Sequence, residues 1–538
     1  MLELNNKQKN TIELIEEFFL NKKYNYFYLF GYAGTGKTYL IARVVQKLLQ
    51  DNIFDHIFVC ASTHKALNVI SSTFKVIFSE IQKEGANVDI SKLTFVTLQK
   101  LLEYKAIINI DDGKKVFKSI SESRVLKKLE KKLIIVDECS MIAESMVNDL
   151  EKQSSMYGIK IIYLGDKAQL PPVQEKDSVI FTKIPPDYDY HVILTKIMRT
   201  KEPDIKDVCK IIRQWDIKEK LGEKLIEVHN RKGAFKLFHQ KRDYINATWF
   251  KTVIKLIKND KSPIILTWKV NTSIAYNNAI RKVLYAEKNK NISNVISLQS
   301  DPNVSSLRGD PNVSSFQDDP NVSSFQDSID LDNFMVGDLI IFNDFYGSPF
   351  DGSVFYTSDI AKIRQIKTDR KNLFIWASHV FQEPSSDIEN AYNVLLLKLD
   401  KIPLCFLVDT LIIEKIHSDI CEIDNKILHQ IYAINHSHLT KYEEAQENIR
   451  AHIEIFHKKW KVDKYSTAIW NLFHKNIKDK YANIVFGYSM TTHKSQASTF
   501  SEVFVDSTNI FENHNIDEMK KCLYTAVSRA SNELYFII

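Results

Sequence analysis

Short apolar runs alternate with amphipathic stretches along the first third of the chain. Tyr26 to Phe30, Ile57 to Ala61, Leu133 to Val136 and Ile159 to Leu164 are continuous apolar runs of strand length, and Tyr39 to Leu49 has helical periodicity. Strands that are short, apolar throughout and separated by helices are typical of a parallel sheet covered on both faces. The first third is therefore predicted to form a parallel-sheet domain.

The same pattern returns near the C-terminus. Asn483 to Tyr488, Val503 to Asp506 and Leu534 to Ile538 are strand-like, and Ile516 to Val527 has helical spacing. Ile264 to Thr267 is predicted to be another strand of this second sheet. The predicted fold class is thus α/β, with two parallel-sheet domains and a long insertion that splits the second.

The insertion has a different character from the two sheets. It begins with three nine-residue units over 301–327, DPNVSSLRG followed by two copies of DPNVSSFQD. Asp-Pro-Asn favours a turn in each unit, and three copies this short predict a polar looped-out segment without a catalytic role. Val336 to Ile366 carries strand-like runs broken by glycines, which predicts a small β-barrel or sheet. From about Leu411 to Lys480 the pattern is mostly helical.

These patterns predict the following organisation of the chain. The expected segments are a first domain over 1–200 with a hairpin insertion at about 101–128, a linker over 201–235, a second domain built from 236–300 and 481–538, a tandem-repeat insertion over 301–330, a small β-rich insertion over 331–410, and a helical insertion over 411–480.

Composition narrows the class of protein. The 538 residues are 44% hydrophobic and 26% charged, values typical of a globular protein with several domains. No apolar run approaches the ~20 residues that span a bilayer, and the first ten residues lack the layout of a secretory signal. The six cysteines form no C-x-x-C pair. We therefore expect an intracellular protein, cytoplasmic or nuclear, without a membrane partner; the net charge of +5 permits a polyanionic partner but does not identify one.

A phosphate-binding loop is predicted between the first strand and the first helix of the sheet. The segment Gly31-Tyr-Ala-Gly34-Thr35-Gly36-Lys37-Thr38 matches G-x-x-x-x-G-K-[ST] in the required context. Its glycines let backbone N–H groups converge on phosphates, and the helix that follows directs its positive dipole end at them. Lys37 can reach the β- and γ-phosphates of ATP, while the Thr38 hydroxyl can ligate Mg²⁺.

Two acids end a later apolar strand, in Leu133-Ile-Ile-Val-Asp137-Glu138. Asp137 is predicted to hold Mg²⁺ together with Thr38, and Glu138 to orient and polarise the attacking water. A nucleotide-binding switch can function with the first acid alone, whereas a hydrolase needs the second. The pair therefore favours ATP hydrolysis over simple ATP binding.

Six further segments, together with the phosphate loop and the Asp137-Glu138 pair, form a set of sequence motifs. They are Gln8, Ala61-Ser-Thr63-His64-Lys65, Gly165-Asp166-Lys-Ala-Gln169-Leu-Pro171-Pro172, Leu194-Thr-Lys-Ile-Met-Arg199, Thr491-Thr-His493-Lys494-Ser-Gln496-Ala497, and Tyr524-Thr-Ala-Val-Ser528-Arg529. In order and spacing the set resembles the superfamily 1 DNA helicases, specifically the Dda/RecD-like branch that moves 5′→3′. The resemblance spans both predicted sheets and implies that each is RecA-like.

The resemblance also implies roles for residues around the nucleotide. Gln8 is similar to the glutamine that reads the adenine edge, Gln169 to the one that senses the γ-phosphate, and Gln496 lies in a further nucleotide-binding motif. Arg199 and Arg529 are implied to stabilise charge on the transferred phosphoryl group, and with Lys37, Glu138 and Gln169 they complete the predicted catalytic set. An ATP held between them would be contacted from both domains, so that hydrolysis could let the domains part.

A single-stranded DNA track is expected in loops at the carboxyl ends of strands. Short hydroxyls, amides and amines suit contacts to phosphates because they read no base identity, and Trp268 is a candidate for base stacking. The candidate residues are Thr63, His64, Lys65, Thr97, Pro171, Trp268, Thr491, His493 and Lys494.

Two positions depart from the family pattern. Ala497 stands where the family normally has glycine, so a positive φ at this position would strain it. Gln99 replaces the histidine usual in its short motif. Neither change removes a catalytic group, and we expect activity to survive with weaker coupling to DNA.

A β-hairpin is predicted within 101–128, from Ile107 to Ile110, an Asp-Asp-Gly turn, and Lys114 to Phe117. In the family that the chain resembles, a hairpin here splits the duplex, and Phe117 is then a candidate for its tip region. The alternative, a hairpin without a direct role, is equally compatible with the sequence.

The sequence therefore predicts an ATP- and Mg²⁺-dependent helicase that moves on single-stranded DNA and opens duplex ahead of it. Its expected partners are single strands, single-strand/duplex junctions, and replication or repair proteins. Three alternatives stay open: an RNA helicase, a DNA translocase with little unwinding, and a nucleotide-gated interaction protein, against which the four groups Glu138, Gln169, Arg199 and Arg529 count.

Overall fold

Two parallel sheets and one antiparallel sheet organise the protein. The computed structural model describes residues 4–83, 89–119, 123–128, 131–172, 175–241, 243–299, 333–416 and 427–538. The repeat segment 301–330 predicted as an insertion lies outside these residues. No helix in the described ranges is long and apolar enough to cross a membrane.

The first sheet is six-stranded and parallel throughout, in the order β3-β2-β6-β7-β1-β8. Its strands are β1 (Tyr26–Gly31), β2 (His56–Ala61), β3 (Leu93–Thr97), β6 (Lys132–Asp137), β7 (Lys160–Gly165) and β8 (His191–Leu194). The two strands between β3 and β6, β4 (Tyr104–Ile108) and β5 (Lys115–Ser119), form an antiparallel hairpin.

Seven helices accompany the first sheet, and together they form what we call the first lobe. They are α1 (Asn6–Leu20), α2 (Lys37–Gln50), α3 (His64–Lys83), α4 (Leu98–Leu101), α5 (Arg124–Lys128), α6 (Glu144–Tyr157) and α7 (Val179–Thr182). Apolar side chains of α1, α2 and α3 pack on one face of the sheet, and those of α4, α5 and α6 pack on the other. Coverage of both faces explains why the strands are apolar throughout.

The second sheet is five-stranded and parallel, in the order β18-β10-β19-β20-β9. Its strands are β9 (Phe235–Phe238), β10 (Ile264–Thr267), β18 (Ser489–Thr491), β19 (Phe500–Asp506) and β20 (Ala530–Ile537). The helices α8 (Pro203–Gln214), α9 (Leu221–His229), α10 (Thr248–Lys258), α11 (Val270–Gln299), α15 (Ser507–Phe511) and α16 (Ile516–Val527) complete the second lobe. The two parallel sheets confirm the predicted α/β fold class.

The third sheet is antiparallel, in the order β16-β15-β14-β11-β17. Its strands are β11 (Leu339–Phe342), β14 (Ile360–Asn372), β15 (Cys405–Ile416), β16 (Leu428–Ile434) and β17 (Ile484–Phe486), with a small hairpin of β12 (Tyr346–Gly347) and β13 (Val354–Phe355). Helices α12 (Asp387–Leu399), α13 (Leu439–Trp460) and α14 (Asp463–Phe473) pack together beside it around their own apolar core.

Three segments differ from the sequence prediction. The predicted strand at 483–488 does not join the second sheet: β17 pairs antiparallel with β11, and the parallel strand begins only at Ser489. The segment predicted as helical from 411 contains the end of β15 and all of β16. The predicted linker 201–235 contains α8 and α9, whose apolar faces pack on the second-lobe core. In the first two segments strand pairing determined the structure of short apolar runs that fitted more than one element.

A buried ion pair joins the third sheet to the second lobe. Arg281 of α11 contacts Asp338, just before β11, with an Nη2–Oδ2 distance of 3.0 Å, and both side chains are buried. The hydroxyls of Tyr285 and Tyr488 also donate to Asp338 Oδ1. Because the carboxylate is fully hydrogen-bonded, the pair fixes the place where the insertion leaves the second lobe.

Candidate active site and nucleic-acid surface

The topology of the first sheet brings the predicted nucleotide residues to one edge. Strand β1 lies between β7 and β8, and β6 lies beside β7. All four are parallel, so the segments that follow them, which begin at Tyr32, Glu138, Asp166 and Thr195, leave the sheet at the same edge. This is where open parallel sheets bind ligands.

A cavity of about 320 Å³ occupies this edge. Nine of its lining residues are among those predicted from the sequence: Gly34, Thr35, Gly36, Lys37, Thr38, Asp137, Glu138, Gln169 and Arg199. Gln8 lies beside it, with Nε2 donating to Thr35 O at 3.5 Å, and Gly31 begins the loop that forms its wall. The structure thus gathers these predicted residues, which come from five separate segments, around one cavity.

The cavity also has lining residues that sequence reasoning missed. Val69 and Thr73 line it from α3, Met198 from the segment after β8, and Thr499 from the segment before β19. Val69 and Thr73 are four residues apart and so share one face of their helix. Their spacing was readable in the sequence, but only the packing of α3 beside the loop shows that this face is turned to the cavity.

The conformation of the phosphate loop depends on Gly34 and Lys37. Gly34 has φ +73°, and a Cβ built on it would lie 2.4 Å from the Cβ of Arg199. Gly34 O accepts hydrogen bonds from the backbone N–H groups of Met198 and Arg199. Lys37 Nζ donates to the carbonyl oxygens of Gly31 and Tyr32. The loop is therefore packed directly against the segment that carries Arg199.

Thr38 and Asp137 form a pair of oxygen ligands suited to Mg²⁺. Thr38 Oγ1 lies 3.1 Å from Asp137 Oδ2, and Asp137 is buried at the end of β6. Burial, together with the charge of the neighbouring Glu138, raises the pKa of Asp137 to about 6. A divalent cation would offset this cost of a buried charge, and hydroxyl and carboxylate oxygens are ligands that Mg²⁺ prefers. The donor set therefore fits the ion.

Glu138 lines the cavity and has an unusual backbone conformation. Its φ is +49°, in the left-handed region, and its N–H donates to Asp137 Oδ1 at 2.9 Å. The adjacent Cys139 is fully buried. Such a conformation is uncommon for a residue with a side chain and is concentrated at functional sites.

The second lobe contributes Arg529 to the same place. Arg529 is 0% exposed, and its Nη2 lies 3.3 Å from Gln169 Oε1 of the first lobe. Arg199 Nη1 reciprocates by donating to Ser528 O at 2.9 Å. Gln496 Nε2 donates to Leu170 O, so three contacts cross between the lobes within a few residues of the cavity.

The guanidinium groups of Arg199 and Arg529 lie close enough for their positive charges to repel each other. Burial, and then the positive charge of Arg199, lower the pKa of Arg529 to about 10. A buried cation whose pKa is lowered by a like charge is stabilised by any anion placed between the two. The electrostatics of this wall of the cavity therefore suit a phosphate group.

Ala497 has the strained conformation anticipated from its place in the motif. Its φ is +58°, where glycine is favoured. Its methyl group packs against the core of the first lobe. The substitution for glycine is thus retained at a conformational cost and adds an apolar contact between the lobes.

The predicted DNA residues of both lobes meet the third sheet. The His64 ring stacks on Tyr356 with centroids 4.4 Å apart, and Lys65 Nζ donates to Ser358 O at 2.8 Å. From the second lobe, Lys494 Nζ donates to Asn343 Oδ1 at 2.6 Å. The loops around β12 and β13 therefore contact His64, Lys65 and Lys494, which the sequence analysis predicted to lie in one DNA track.

Other predicted DNA residues lie at strand ends, as expected. Thr97 is the last residue of β3 and caps α4, and Thr491 is the last residue of β18; both are buried. Burial lowers the pKa of His493, which lies 3.7 Å from Glu518, and of His64. Burial therefore favours the neutral form of both imidazoles, which suits contacts that do not depend on fixed charge.

Three further predicted DNA residues, Thr63, Pro171 and Trp268, make contacts within their own lobes. Thr63 Oγ1 accepts from Ala66 N and so caps α3, and Pro171 is half-buried beside Leu170. The Trp268 ring packs against the second-lobe core, and its backbone N–H donates to Asn509 Oδ1. The stacking role of Trp268 stays a prediction.

A pocket of about 720 Å³ lies between the hairpin and the first sheet. His64, Thr97 and Gln99 line its inner side, and Tyr104 and Phe117 line the hairpin side. Gln99 Nε2 donates to Ser62 O at 3.1 Å. Gln99 thus retains a structural hydrogen bond at the position where the family normally has histidine.

The clash at Gly34 yields a test of the loop. In Gly34→Ala the new methyl would displace Arg199, so we expect ATP hydrolysis to fall about tenfold or more. The matched control is Gly158→Ala at the end of α6, because Gly158 has φ +61° and no atom within 4 Å of the added Cβ. The control should lose about 1 kcal/mol of unfolding free energy and keep its activity. Equal activity losses in the two variants would contradict the proposed contact.

The raised pKa of Asp137 predicts a pH dependence. As pH falls through about 6 the carboxylate gains a proton and can no longer ligate Mg²⁺, so the affinity for MgATP should fall by up to about tenfold per pH unit. Without the cation the same shift stabilises the fold as pH falls from 6 towards 4, because the folded state then binds more protons than the unfolded state. Nucleotide titrations at several pH values, with and without chelator, measure this; a pH-independent affinity in Mg²⁺ would refute it.

Comparison with known proteins agrees with this arrangement. A family model described as "AAA domain" matches residues 3–238, and one described as "UvrD-like helicase C-terminal domain" matches residues 486–537. The chain is 39% identical over 536 residues, 99% of either chain, to "Uncharacterized protein R530" of Acanthamoeba polyphaga mimivirus. It is also 25% identical over 226 residues, 39% of this chain and 27% of the relative, to the ATP-dependent DNA helicase RRM3 of Saccharomyces cerevisiae.

Solved structures of Pif1 helicases are similar over the whole chain. That from Candida albicans has a TM-score of 0.42 at 15% identity and covers 100% of this chain and 95% of its own. The Bacteroides Pif1 in complex with ADP-AlF3 and ssDNA has a TM-score of 0.43 at 14% identity, with coverage of 100% and 92%. The motif set, the two family models and the match to R530 over 99% of either chain lead to one conclusion: the chain belongs, with R530, to the superfamily 1 helicases, which are ATP-hydrolysing enzymes.

Proposed function

We propose that this protein is a motor that hydrolyses ATP between its two lobes, moves on single-stranded DNA and separates the strands of duplex ahead of it. The observation that carries the proposal is the contact of Arg529 with Gln169, which places a second-lobe cation beside the cavity of the first-lobe phosphate loop. The 5′→3′ direction is carried by the family resemblance alone.

The residues around the cavity can supply the steps of hydrolysis. Lys37 and the loop amides bind the phosphates, and Glu138 orients the water in line with the leaving group. Arg199 and Arg529 stabilise the charge that develops on the transferred phosphoryl group. When bound by Thr38 and Asp137, Mg²⁺ supplies charge neutralisation of the phosphates. Gln8, whose side chain lies 3.5 Å from Thr35 O of the loop, is our proposed contact to the adenine edge.

The proposed movement of the lobes depends on the contacts that Arg199 and Arg529 make across the interface between them. While a triphosphate is held, both arginines are attracted to the same anion and the lobes stay together. After the γ-phosphate leaves, the two guanidinium groups repel each other with less anionic charge between them. The equilibrium between closed and open arrangements therefore shifts with each hydrolysis, which is the minimum that a motor requires.

The surface formed by His64, Lys65, Lys494 and the third-sheet loops is our proposed DNA track. Tyr356, stacked on His64, and Phe345, 61% exposed and 5.7 Å from Tyr356 between centroids, extend it with aromatic faces that the sequence did not single out. Base stacking on such faces is worth ~1–3 kcal/mol per base and reads no sequence.

The β4–β5 hairpin is our proposed strand separator. Its five-residue strands are largely exposed, whereas its turn is held by the helices beside the third sheet. Trp470 Nε1 donates to Ile110 O at 3.0 Å, the His474 ring lies 2.8 Å from Gly113 O, and a Cβ on Gly113 would lie 2.3 Å from the Trp470 ring. A projecting element clamped at its far end is stiff enough to resist an advancing duplex.

Phe117 is not at the tip of this hairpin, which corrects the sequence prediction. It lies on β5 opposite Ala106, in the stem, and is 61% exposed. It lines the pocket that also contains His64 and Thr97. We therefore propose that Phe117 faces the DNA where the strands part, at the root of the hairpin.

Loss of the phosphate-loop lysine tests the nucleotide site. Lys37→Ala should lower ATP hydrolysis by roughly a hundredfold or more, because the β- and γ-phosphates lose their cation, while binding to single-stranded DNA persists. The matched control is Lys47→Ala on the same helix, whose exposed amine pairs only with Glu16 among the described residues. ATPase activity that survives in Lys37→Ala would rule out the site.

The hairpin variant tests strand separation. Phe117→Ala should slow displacement of a strand from a tailed duplex several-fold and leave DNA-stimulated ATP hydrolysis unchanged, because only contact at the junction is lost. Phe511→Ala, which removes a similarly exposed ring of the second lobe, is the control. The same assay with 5′-tailed, 3′-tailed and RNA-containing duplexes shows the direction of movement and whether DNA or RNA is the substrate. Strong DNA-stimulated ATPase without displacement by the wild type would favour a translocase that does not unwind.

Replication, repair and recombination are the pathways that such an activity would serve. The family match and the DNA helicase among the relatives support action on DNA, which these pathways share. We propose junction-bearing intermediates of these pathways as substrates, and proteins of the same pathways as partners.

A further inference from the structure

Four chain segments meet behind the phosphate loop in a buried polar cluster. They contribute Tyr32 and Ala33 from the loop, Asp166 from the segment after β7, Arg213 from α8, and Tyr524 from α16. Asp166 is 0% exposed and Tyr524 2% exposed. None of these contacts is used by the hydrolysis steps described above.

A continuous chain of hydrogen bonds runs through the cluster. The backbone N–H of Ala33 donates to Tyr524 Oη at 3.0 Å, and Tyr524 Oη donates to Asp166 Oδ2 at 2.9 Å. The other carboxylate oxygen of Asp166 accepts from Arg213 Nη1 at 2.5 Å and from Ala168 N at 3.1 Å. The tyrosine hydroxyl is thus both acceptor and donor, and it links the loop backbone to a buried ion pair.

The Arg213 guanidinium is also held by two aromatic rings. It lies 4.0 Å from the centroid of Tyr32 and 5.0 Å from that of Tyr524. One ring belongs to the phosphate loop and the other to the second lobe. A planar cation between two rings is sensitive to the position of both, so a displacement of the loop alters the contacts of the second-lobe helix.

Tyr524 is rigidly connected to Arg529. It lies in the last turn of α16, which ends at Val527, and Arg529 Nε donates to Thr525 O at 3.0 Å. The next residue, Ala530, begins β20. Whatever fixes the Tyr524 ring therefore fixes the position from which Arg529 reaches Gln169.

We propose that Tyr524, with Asp166 and Arg213, is a positioning device that transmits the state of the phosphate loop to Arg529. The inference rests on the proposed function and assigns to these three residues the coupling between nucleotide binding and the second lobe. Tyr524 does not contact the reacting atoms; it acts through Arg529.

The chemistry explains why a tyrosine is required. Phenylalanine would keep the ring over Arg213 but would leave the Ala33 N–H and one Asp166 oxygen without their present partner in a buried site. The loop and α16 would then move independently. ATP would still be bound by Lys37 and the loop amides, whereas the arginine would be out of position for phosphoryl transfer.

The test is Tyr524→Phe, measured in two ways. In steady-state ATPase assays with single-stranded DNA we expect kcat to fall about tenfold with KM for ATP within about twofold of wild type. In hydrogen–deuterium exchange, a non-hydrolysable ATP analogue should slow exchange in peptides of both the phosphate loop and 516–531 of the wild type, but only in those of the loop in Tyr524→Phe. The second readout does not depend on hydrolysis, so inactivity of the wild type would refute the proposed function without deciding the coupling.

Two further variants make the result specific. Tyr535→Phe removes another buried second-lobe hydroxyl, bonded to Glu533 Oε2 at 2.5 Å, and should behave as wild type in both measurements. If Tyr524 acts through Arg529, adding Tyr524→Phe to Arg529→Ala should lower kcat no further. Multiplied effects in the double variant, or an unchanged exchange response of 516–531 in Tyr524→Phe, would overturn the proposal.

Discussion

Burial of Arg529 between the two lobes is the interaction on which the rest of the site depends. Its guanidinium is out of contact with water, it bonds Gln169 across the interface, and it is near a second arginine. A cation in such a place is costly unless an anion shares the site. The interface therefore suits an anion such as a phosphate group, and in the proposed mechanism the two lobes are held together most strongly when the bound nucleotide carries most charge.

The opposite wall of the cavity has the opposite electrostatic bias. Asp137 is buried with its pKa raised to about 6, beside a second carboxylate, and a hydroxyl donates to it. One wall suits an anion and the other a cation, as a metal–nucleotide complex requires. In the proposed mechanism the same geometry links ATP hydrolysis to the arrangement of the two lobes, because Arg199 and Arg529 belong to different lobes.

The third sheet connects the two lobes to the proposed DNA track and to the hairpin. Its loops contact His64 and Lys65 of the first lobe and Lys494 of the second, and the helices packed beside it hold the hairpin turn. A change in lobe spacing must therefore strain or shift contacts with the insertion. The buried Arg281–Asp338 pair attaches the insertion to α11 of the second lobe.

The sequence by itself determined the existence of the two parallel sheets, the hairpin and most of the residues that line the candidate nucleotide cavity, because each depends on local features. Continuous apolar runs define strands covered on both faces, and the residues after those strands must lie at one sheet edge. Ala497 could even be recognised as strained, since a glycine position implies a backbone conformation.

Only the tertiary structure decided which elements share a sheet and which distant groups touch. Residues 483–488 were predicted as a strand of the second sheet, but β17 pairs with β11 of the third sheet and only the next strand, β18, joins the second, because the pairing partners lie over a hundred residues away. The stacking of Tyr356 on His64, the true position of Phe117, and the Asp166–Tyr524–Arg213 cluster likewise join segments separated by tens to hundreds of residues. No periodicity records such contacts, since they arise from the packing of finished elements rather than from the preferences of neighbouring residues.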